Sequence, residues 1–254
     1  MKKLLTLLLC LACLVSTLAL ASCDALSGFD PDELAGKSPE ELYADTQEVL
    51  KTYTRYKIES EQVVTMTVEG TEYVIPQSVT SIVDGQNSYF RSYAKNIDNS
   101  VIENEGWYVD GILYNGNTKV YAELPWDTYV AKYLNGEPTD SMLLNIPEEW
   151  FEDVRFEQKE GSKNRFMVFK ITGDKYEELF DTLGGLVAQA DISDVVYTIE
   201  FTKKGELVSV VTEFEMTIQG IEATCVSTGT IFTEDVDPIT PPADKDDYRK
   251  GYLG

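Results

Sequence analysis

The spacing of apolar residues predicts one helix near the start of the chain and a series of strands after it. The helix begins at Ser38, where Pro39 occupies the first turn and Glu41 completes a capping box. From Arg55 the apolar period changes to two, which is typical of a half-buried strand. The residues that this alternation places on one face are Ile58, Val64, Met66 and Val68.

Turn residues then predict how the first two strands pair. Glu69-Gly70 indicates a hairpin in which Met66 lies opposite Tyr73, so that apolar side chains share one face of the sheet. Pro76 has no backbone N–H to donate, which indicates an edge or a bulge in the second strand.

The middle of the chain contains more turns, a hairpin and two helices. Asp110-Gly111 and Asn115-Gly116 predict tight turns, and residues 126–134 have the pattern of a short helix. Further along, a predicted hairpin opposes Val154 to Phe169 and Phe156 to Met167. A helix capped by Asp174 is expected to follow it.

The last strands have the clearest pattern. Lys204-Gly205 predicts a turn that opposes Ile199 to Val210 and Phe201 to Val208. Gln219-Gly220 predicts the next turn, and it opposes three apolar pairs, which are Ile218 with Ile221, Met216 with Ala223, and Phe214 with Cys225. Because Cys225 falls on the apolar face, we expect a buried and unreactive thiol.

These elements predict an α+β fold built on an antiparallel meander of eight to eleven strands. Such a sheet must cover its apolar face, and the helices are the available cover. We therefore expect a strongly curved antiparallel sheet wrapped around the helices, formed by residues 38–236. Residues 237–254 are acidic and contain proline, and we expect the last dozen to be a loosely attached tail.

The N-terminus has the pattern of a bacterial lipoprotein. Two lysines precede an apolar run, which predicts a signal peptide over residues 1–22. The run ends Leu20-Ala21-Ser22-Cys23, which matches a lipobox and predicts a diacylglyceryl anchor on Cys23. Residues 23–37 would then tether the domain to the outer face of the cytoplasmic membrane, whether the host has one membrane or two. The alternative is an ordinary signal peptide that happens to contain a cysteine.

Charge and composition exclude several function classes. Removing residues 1–22 takes away two of the 21 basic residues and none of the 44 acidic ones, which leaves a formal charge of −25. Such a chain repels nucleic acid. It contains no histidine, so nucleophile–histidine pairs and most zinc sites are excluded. No cofactor or metal is expected.

One acidic cluster is the only candidate for catalysis. Glu148, Glu149, Glu152 and Asp153 are clustered carboxylates of the kind that glycosidases use. The simpler interpretation is a solvated acidic face around Trp150 and Phe151, and we therefore expect a non-enzymatic protein.

The order of elements resembles a known family. A helix, a first hairpin, the segment Trp107-Tyr108-Val109-Asp110-Gly111-Ile112-Leu113-Tyr114, a later helix and C-terminal hairpins are similar to the LolA/LolB/LppX lipoprotein-carrier superfamily, and above all to its uncharacterised members. The resemblance covers most of the mature domain. It implies an unclosed β-barrel with helices on the concave side that holds lipids or acyl chains, but no family motif identifies binding residues here.

We therefore expect a membrane-anchored, extracytoplasmic lipoprotein that binds or carries an apolar or amphipathic ligand, such as a lipid or a lipoprotein acyl chain. The candidate cavity lining is Met66, Tyr73, Phe156, Met167, Phe169, Phe201, Phe214 and Met216, which could instead simply pack against the helices. The alternative function is an envelope protein-interaction or sensory module without a small-molecule ligand, which would use Tyr89, Tyr93, Tyr129 and Tyr133 as exposed contacts.

Overall fold

The computed structural model describes residues 37–96, 98–133, 146–176, 190–203, 205–218 and 220–251. The predicted signal peptide, Cys23 and the tether up to residue 36 lie outside this part of the chain, as does most of the helix predicted from Asp174. None of the helices in the described ranges is both long and apolar enough to cross a bilayer.

The described residues form thirteen strands in one sheet, more than the eight to eleven expected. The helices are α1 (Pro39–Leu50) and α2 (Trp126–Tyr133), with short 3-10 helices at Glu148–Trp150 and Lys245–Asp247 and a helical turn at residues 173–176. The strands are β1 (Arg55–Val68), β2 (Thr71–Asp84), β3 (Asn87–Lys95), β4 (Val101–Val109), β5 (Ile112–Asn115), β6 (Val120–Glu123), β7 (Glu152–Glu157), β8 (Arg165–Ile171), β9 (Ala190–Ile192), β10 (Val195–Phe201), β11 (Leu207–Ile218), β12 (Ile221–Phe232) and β13 (Arg249–Lys250).

The sheet order confirms the predicted fold class. The strands run β13-β6-β5-β4-β3-β2-β1-β12-β11-β10-β8-β7, with β9 paired to β11. Among the described strands only the β13–β6 pairing is parallel. The first and last long strands, β1 and β12, join the two halves of the meander from Lys57–Phe232 to Met66–Ala223. Within the described strands β7 and β13 are the two edges, so the fold is α+β with a large unclosed antiparallel sheet.

Helix α1 forms as its sequence predicts. The Ser38 side chain accepts a hydrogen bond from the Glu41 N–H, and the Glu41 carboxylate accepts one from the Ser38 N–H. This capping box satisfies two N–H groups that otherwise lack partners at a helix start. The helix buries Leu42, Tyr43 and Leu50 against the sheet.

The first hairpin is confirmed in its register. Met66 pairs with Tyr73, and the turn between them places Glu69 and Gly70 at φ of 51° and 79°. Two residues with positive φ match the right-handed twist of the flanking strands. The pairing of β2 with β3 begins only at Gln77, so Pro76 lies in the half of β2 that is an edge among the described strands. This agrees with the expectation for a residue that cannot donate.

Two predicted pairings are wrong because each strand pair contains a bulge. Phe201 pairs with Leu207 and not with Val208, since the register shifts after Glu200, although Ile199 still pairs with Val210. In the β7–β8 hairpin, Phe156 pairs with Met167 as predicted. The register then shifts between residues 152 and 155, where Asp153 has a φ of 54°, so the Val154–Phe169 pairing is not formed.

The C-terminal segment is docked on the sheet, so the expected loose attachment of the last dozen residues is wrong for those described. Arg249 and Lys250 add a parallel strand to β6. Tyr248 is buried and packs edge-on against Tyr114, with ring centroids 5.4 Å apart. Lys119 lies over the Tyr248 ring and forms an ion pair with Asp244 at 2.6 Å. Sequence periodicity cannot detect a two-residue strand.

Tyr248 is expected to hold this segment in place. In Tyr248→Ala the edge strand should detach, so that amide hydrogen exchange at Arg249 and Gly251, which donate to the carbonyls of Lys119 and Tyr121, accelerates by about tenfold or more. Tyr248→Phe keeps the ring and is the matched control, with exchange close to wild type. Unchanged exchange in Tyr248→Ala would show that the backbone pairing alone holds the segment.

Candidate functional site

Both helices pack on the same face of the sheet, which we call the inner face. Side chains alternate between the faces of a strand, and directly paired residues share a face. Tyr56 pairs with Val83, and Val83 pairs with Ser88, which places all three on the inner face. The Ser88 hydroxyl lies 2.6 Å from the Tyr129 hydroxyl of α2. Tyr56 and Val83 belong to the core that α1 covers.

The eight candidate lining residues all come together on the inner face in one apolar cluster. Six of them are buried, and Tyr73 and Phe156 are half-buried at its border. Met167 and Phe169 have no solvent exposure at all. The structure therefore brings the predicted residues together, and the most buried of them pack against other side chains.

An aromatic chain fills the region between α1 and strands β8 to β11. Tyr43 of α1 contacts Phe151 edge-on at 5.0 Å between ring centroids, and Phe151 stacks on Phe169 at 4.1 Å. Phe169 stacks in turn on Tyr197 at 5.0 Å, with the rings only 4° from parallel. Such pairs contribute about 0.5–1.5 kcal/mol each beyond the burial of their area. This half of the inner face is a packed core.

Burial controls the chemistry of the polar groups in this core. It raises the pKa of the Cys225 thiol to about 12, although the hydrogen bond that the Gln62 amide donates to the sulfur opposes the shift. The thiol is free and buried, as the sequence predicts. Burial also raises the pKa values of the Tyr43, Tyr176 and Tyr197 phenols well above the usual value.

Beyond this core the described residues leave part of the inner face uncovered on β3 and β4. Phe90 lies on the inner face because it alternates with Ser88 and Ser92, and 42% of it is exposed. Ile102 pairs with Ala94, is also on the inner face, and is 36% exposed. Contiguous exposed apolar surface is typical of places that bind other molecules.

A row of polar side chains crosses the inner face, with core residues on both sides of it, and leads toward this uncovered part. Consecutive strands β11, β12, β1 and β2 each contribute one member, and each member pairs directly with the next. We call this set the polar row, and its members are Thr212, Ser227, Gln62 and Gln77. All four are buried. The same register continues through Ala94 of β3 to the exposed Ile102 of β4.

The polar row contains atoms without hydrogen-bond partners in the part of the chain that the structure describes. These atoms are the Oε1 atoms of Gln62 and Gln77 and the hydroxyl oxygen of Ser227, and the Ser60 hydroxyl beside the row is a further one. A buried polar atom without a partner costs about 1–3 kcal/mol. Because four of them lie together, they mark a place where a bound polar group would stabilise the protein.

Sequence reasoning missed Phe90, Ile102 and the polar row. Polar residues at inward positions interrupt the apolar alternation by which strands are identified. An analysis based on that alternation therefore does not assign them to the inner face. Only the pairing of β1 with β12 shows that Ser227 is a neighbour of Gln62 and Gln77, since it lies far from them along the chain. The signal that could have found Gln62 and Gln77 is the predicted hairpin at Glu69-Gly70, which already opposes them.

The other candidate residues lie outside this region. Glu148, Glu149, Glu152 and Asp153 are all exposed, in agreement with a solvated acidic face. In the described ranges no three acidic or cysteine side chains are placed to hold a metal ion. Of the tyrosines expected to be exposed, Tyr129 is buried because it stacks on Tyr108 at 4.3 Å, and Tyr89 and Tyr93 are half-buried.

The raised phenol pKa values predict that the protein loses stability in alkaline solution. An unfolded tyrosine ionises near pH 10, whereas the buried phenols keep their protons to higher pH. The folded state then binds more protons, so the free energy of unfolding falls above about pH 10, by about 1.4 kcal/mol per pH unit for each such group. Denaturant unfolding of Tyr197→Phe should show a shallower fall between pH 10 and 11 and the wild-type slope below pH 9. Equal slopes for the two proteins in the alkaline range would contradict this explanation.

Comparison with known proteins finds similarity at the level of structures only. No protein-family model matches the chain, and no curated protein matches it. The solved structures similar to it include LprF from Mycobacterium bovis, at 12% identity and a TM-score of 0.37, with 84% of this chain and 97% of that chain covered. They also include a putative outer membrane lipoprotein-sorting protein domain from Vibrio parahaemolyticus, at 10% identity and a TM-score of 0.26, with 79% and 95% covered. A third is a LolA superfamily protein from Nitrosomonas europaea, at 10% identity and a TM-score of 0.24, with 80% and 96% covered.

Proposed function

We propose that the mature chain is a non-enzymatic lipoprotein of the cell envelope that binds an amphipathic ligand, a lipid or an acyl chain, on the inner face of its sheet. The observation that carries this proposal is the uncovered part of that face, where Phe90 and Ile102 are exposed. The two helices in the described ranges cover the face on either side of it, α1 over the core and α2 over Tyr108. An acyl chain laid there would shield both side chains from water.

Covering the exposed parts of Phe90 and Ile102 contributes favourably to the free energy of ligand binding. Fully burying a large apolar side chain is worth about 1.5–3 kcal/mol relative to leaving it fully exposed, so covering the 42% of Phe90 and 36% of Ile102 that are exposed contributes a part of that, and each acyl CH₂ adds about 0.8 kcal/mol. Residues of the adjoining inner face that are half-buried, Val79 and Ser81 on β2, extend the same surface toward the core.

The proposed location follows from the N-terminal segment. Lipidation of Cys23 would hold the domain on the outer face of the cytoplasmic membrane, and residues 24–37 as a flexible coil would span roughly 20 Å. The inner face would then lie within reach of the bilayer that supplies its ligand. The acidic chain is repelled by anionic lipid headgroups, so the covalent anchor, and not surface charge, would keep it there.

Two adjacent residues of β4 provide a matched test of ligand binding. Ile102 lies on the inner face and Val101, which is 50% exposed, lies on the outer face of the same strand. Ile102→Asp places a charge in the proposed site and should weaken binding of the apolar fluorophore N-phenyl-1-naphthylamine by about tenfold, a change of about 1.4 kcal/mol in binding free energy. Val101→Asp should bind it like wild type. Equal effects of both variants, or no fluorophore binding by wild type, would contradict the proposal.

The anchor is tested separately. In bacterial cells that process lipoproteins, Cys23→Ala should remove the acyl mass from the N-terminal peptide and move the chain from the membrane fraction to the soluble fraction, because no other lipidation signal is expected. Cys225→Ala changes the buried cysteine and is the control, with membrane fractionation retained. If Cys23→Ala fractionates with membranes as wild type does, the anchored location is wrong.

A further inference from the structure

We propose that the polar row recognises an uncharged, hydrogen-bond-donating group of the amphiphile, a hydroxyl or an amide N–H next to its acyl chain. This inference rests on the proposed function and specifies its ligand class. It is carried by unpartnered polar atoms of Ser227, Gln62 and Gln77, which lie side by side on three consecutive strands.

The position of the row suits a ligand that arrives over the uncovered part of the inner face. Strands lie about 4.8 Å apart, so the row from Thr212 to Gln77 is roughly 14 Å long. Its register continues through Ala94 to the exposed Ile102. A molecule bound over Ile102 therefore meets Gln77 as the first polar side chain of the row.

The apolar neighbours of the row suit the chain of an amphiphile. On one side the adjacent inward row is Phe214, Cys225, Val64 and Ile75, each paired with the next. On the other side Val79 pairs with Ser60. An acyl chain laid over the exposed Ile102 and the half-buried Val79 would bring the polar group attached to it to the end of the polar row at Gln77.

The chemistry of the unpartnered atoms selects the type of polar group. An amide oxygen accepts hydrogen bonds and cannot donate them, so the Oε1 atoms of Gln62 and Gln77 require a donor. The Ser60 and Ser227 hydroxyls can donate or accept. Carboxylates and phosphates are acceptors only, and the row contains no Lys or Arg to balance their charge. The mature chain, with its formal charge of −25, further disfavours an anion.

The experiment compares two probes that share an acyl chain and differ in the polar group. Monodecanoylglycerol carries two neutral hydroxyls, and decanoate carries a carboxylate. Their binding to the full mature chain is measured by isothermal titration calorimetry at pH 7.5, below their critical micelle concentrations. Displacement of N-phenyl-1-naphthylamine reports on the apolar surface in the same samples.

The variants use two adjacent residue pairs on opposite faces of β1 and β2. Gln62 pairs with Gln77 on the inner face, and Glu61 pairs with Ser78 on the outer face. The test variant is Gln62→Leu with Gln77→Leu, and the control is Glu61→Leu with Ser78→Leu. Because the test variant removes unpartnered buried acceptors, we expect its melting temperature to be at or above that of wild type. Gln77→Leu alone serves if the double variant does not fold.

We expect wild type to bind monodecanoylglycerol at least about tenfold more tightly than decanoate. The test variant should lose that preference and still bind the naphthylamine, while the control variant keeps both properties. A wild-type protein that binds the naphthylamine without preferring the glyceride, or a test variant that retains the preference, would overturn this inference and leave the proposed function standing. If the test variant has a lowered melting temperature and keeps the preference for the glyceride, the role of the polar row is structural, and this inference is overturned as well. Absence of naphthylamine binding by wild type would instead overturn the proposed function, and this inference with it.

Discussion

An open sheet with an apolar face must cover that face, and here the helices in the described ranges cover only part of it. Helix α1 seals the half that carries Phe169 and Tyr197, where rings stack into a packed core. Helix α2 seals the far end over Tyr108. The stretch between them includes Phe90, which stays exposed to water at a cost in free energy. The proposed ligand would cover the part of the inner face that the described helices leave exposed.

The polar row is the second departure from an ordinary core. A sheet that only had to pack against helices would place apolar side chains at the inward positions of β12, β1 and β2, as it does one row away with Cys225, Val64 and Ile75. Instead Ser227, Gln62 and Gln77 bury polar atoms that lack partners among the described residues. The inner face therefore departs from ordinary core packing in two ways, because apolar residues are exposed and polar residues are buried on it. Such departures are expected at functional sites.

The features that could be predicted from the sequence are those that depend on a local pattern of residues. The capping box at Ser38 located α1, and tight turns such as Glu69-Gly70 set strand registers that the structure confirms. Errors arose where one extra residue shifts a register, as at Phe201, or where tertiary contacts alone hold a short element, as at Tyr248. The uncovered stretch and the polar row depend on the order of strands across the whole sheet, in which β1 pairs with β12. A pairing between residues so distant along the chain leaves no local signal.

The most direct test of the central claim, that the inner face is completed by an amphipathic molecule, is native mass spectrometry of the full mature protein isolated gently from its own membrane. We expect a species heavier than the covalently lipidated chain by the mass of a neutral amphiphile, and this extra mass should disappear under denaturing conditions. A protein that shows only the covalent mass under both conditions, and takes up no amphiphile when one is added, would contradict it.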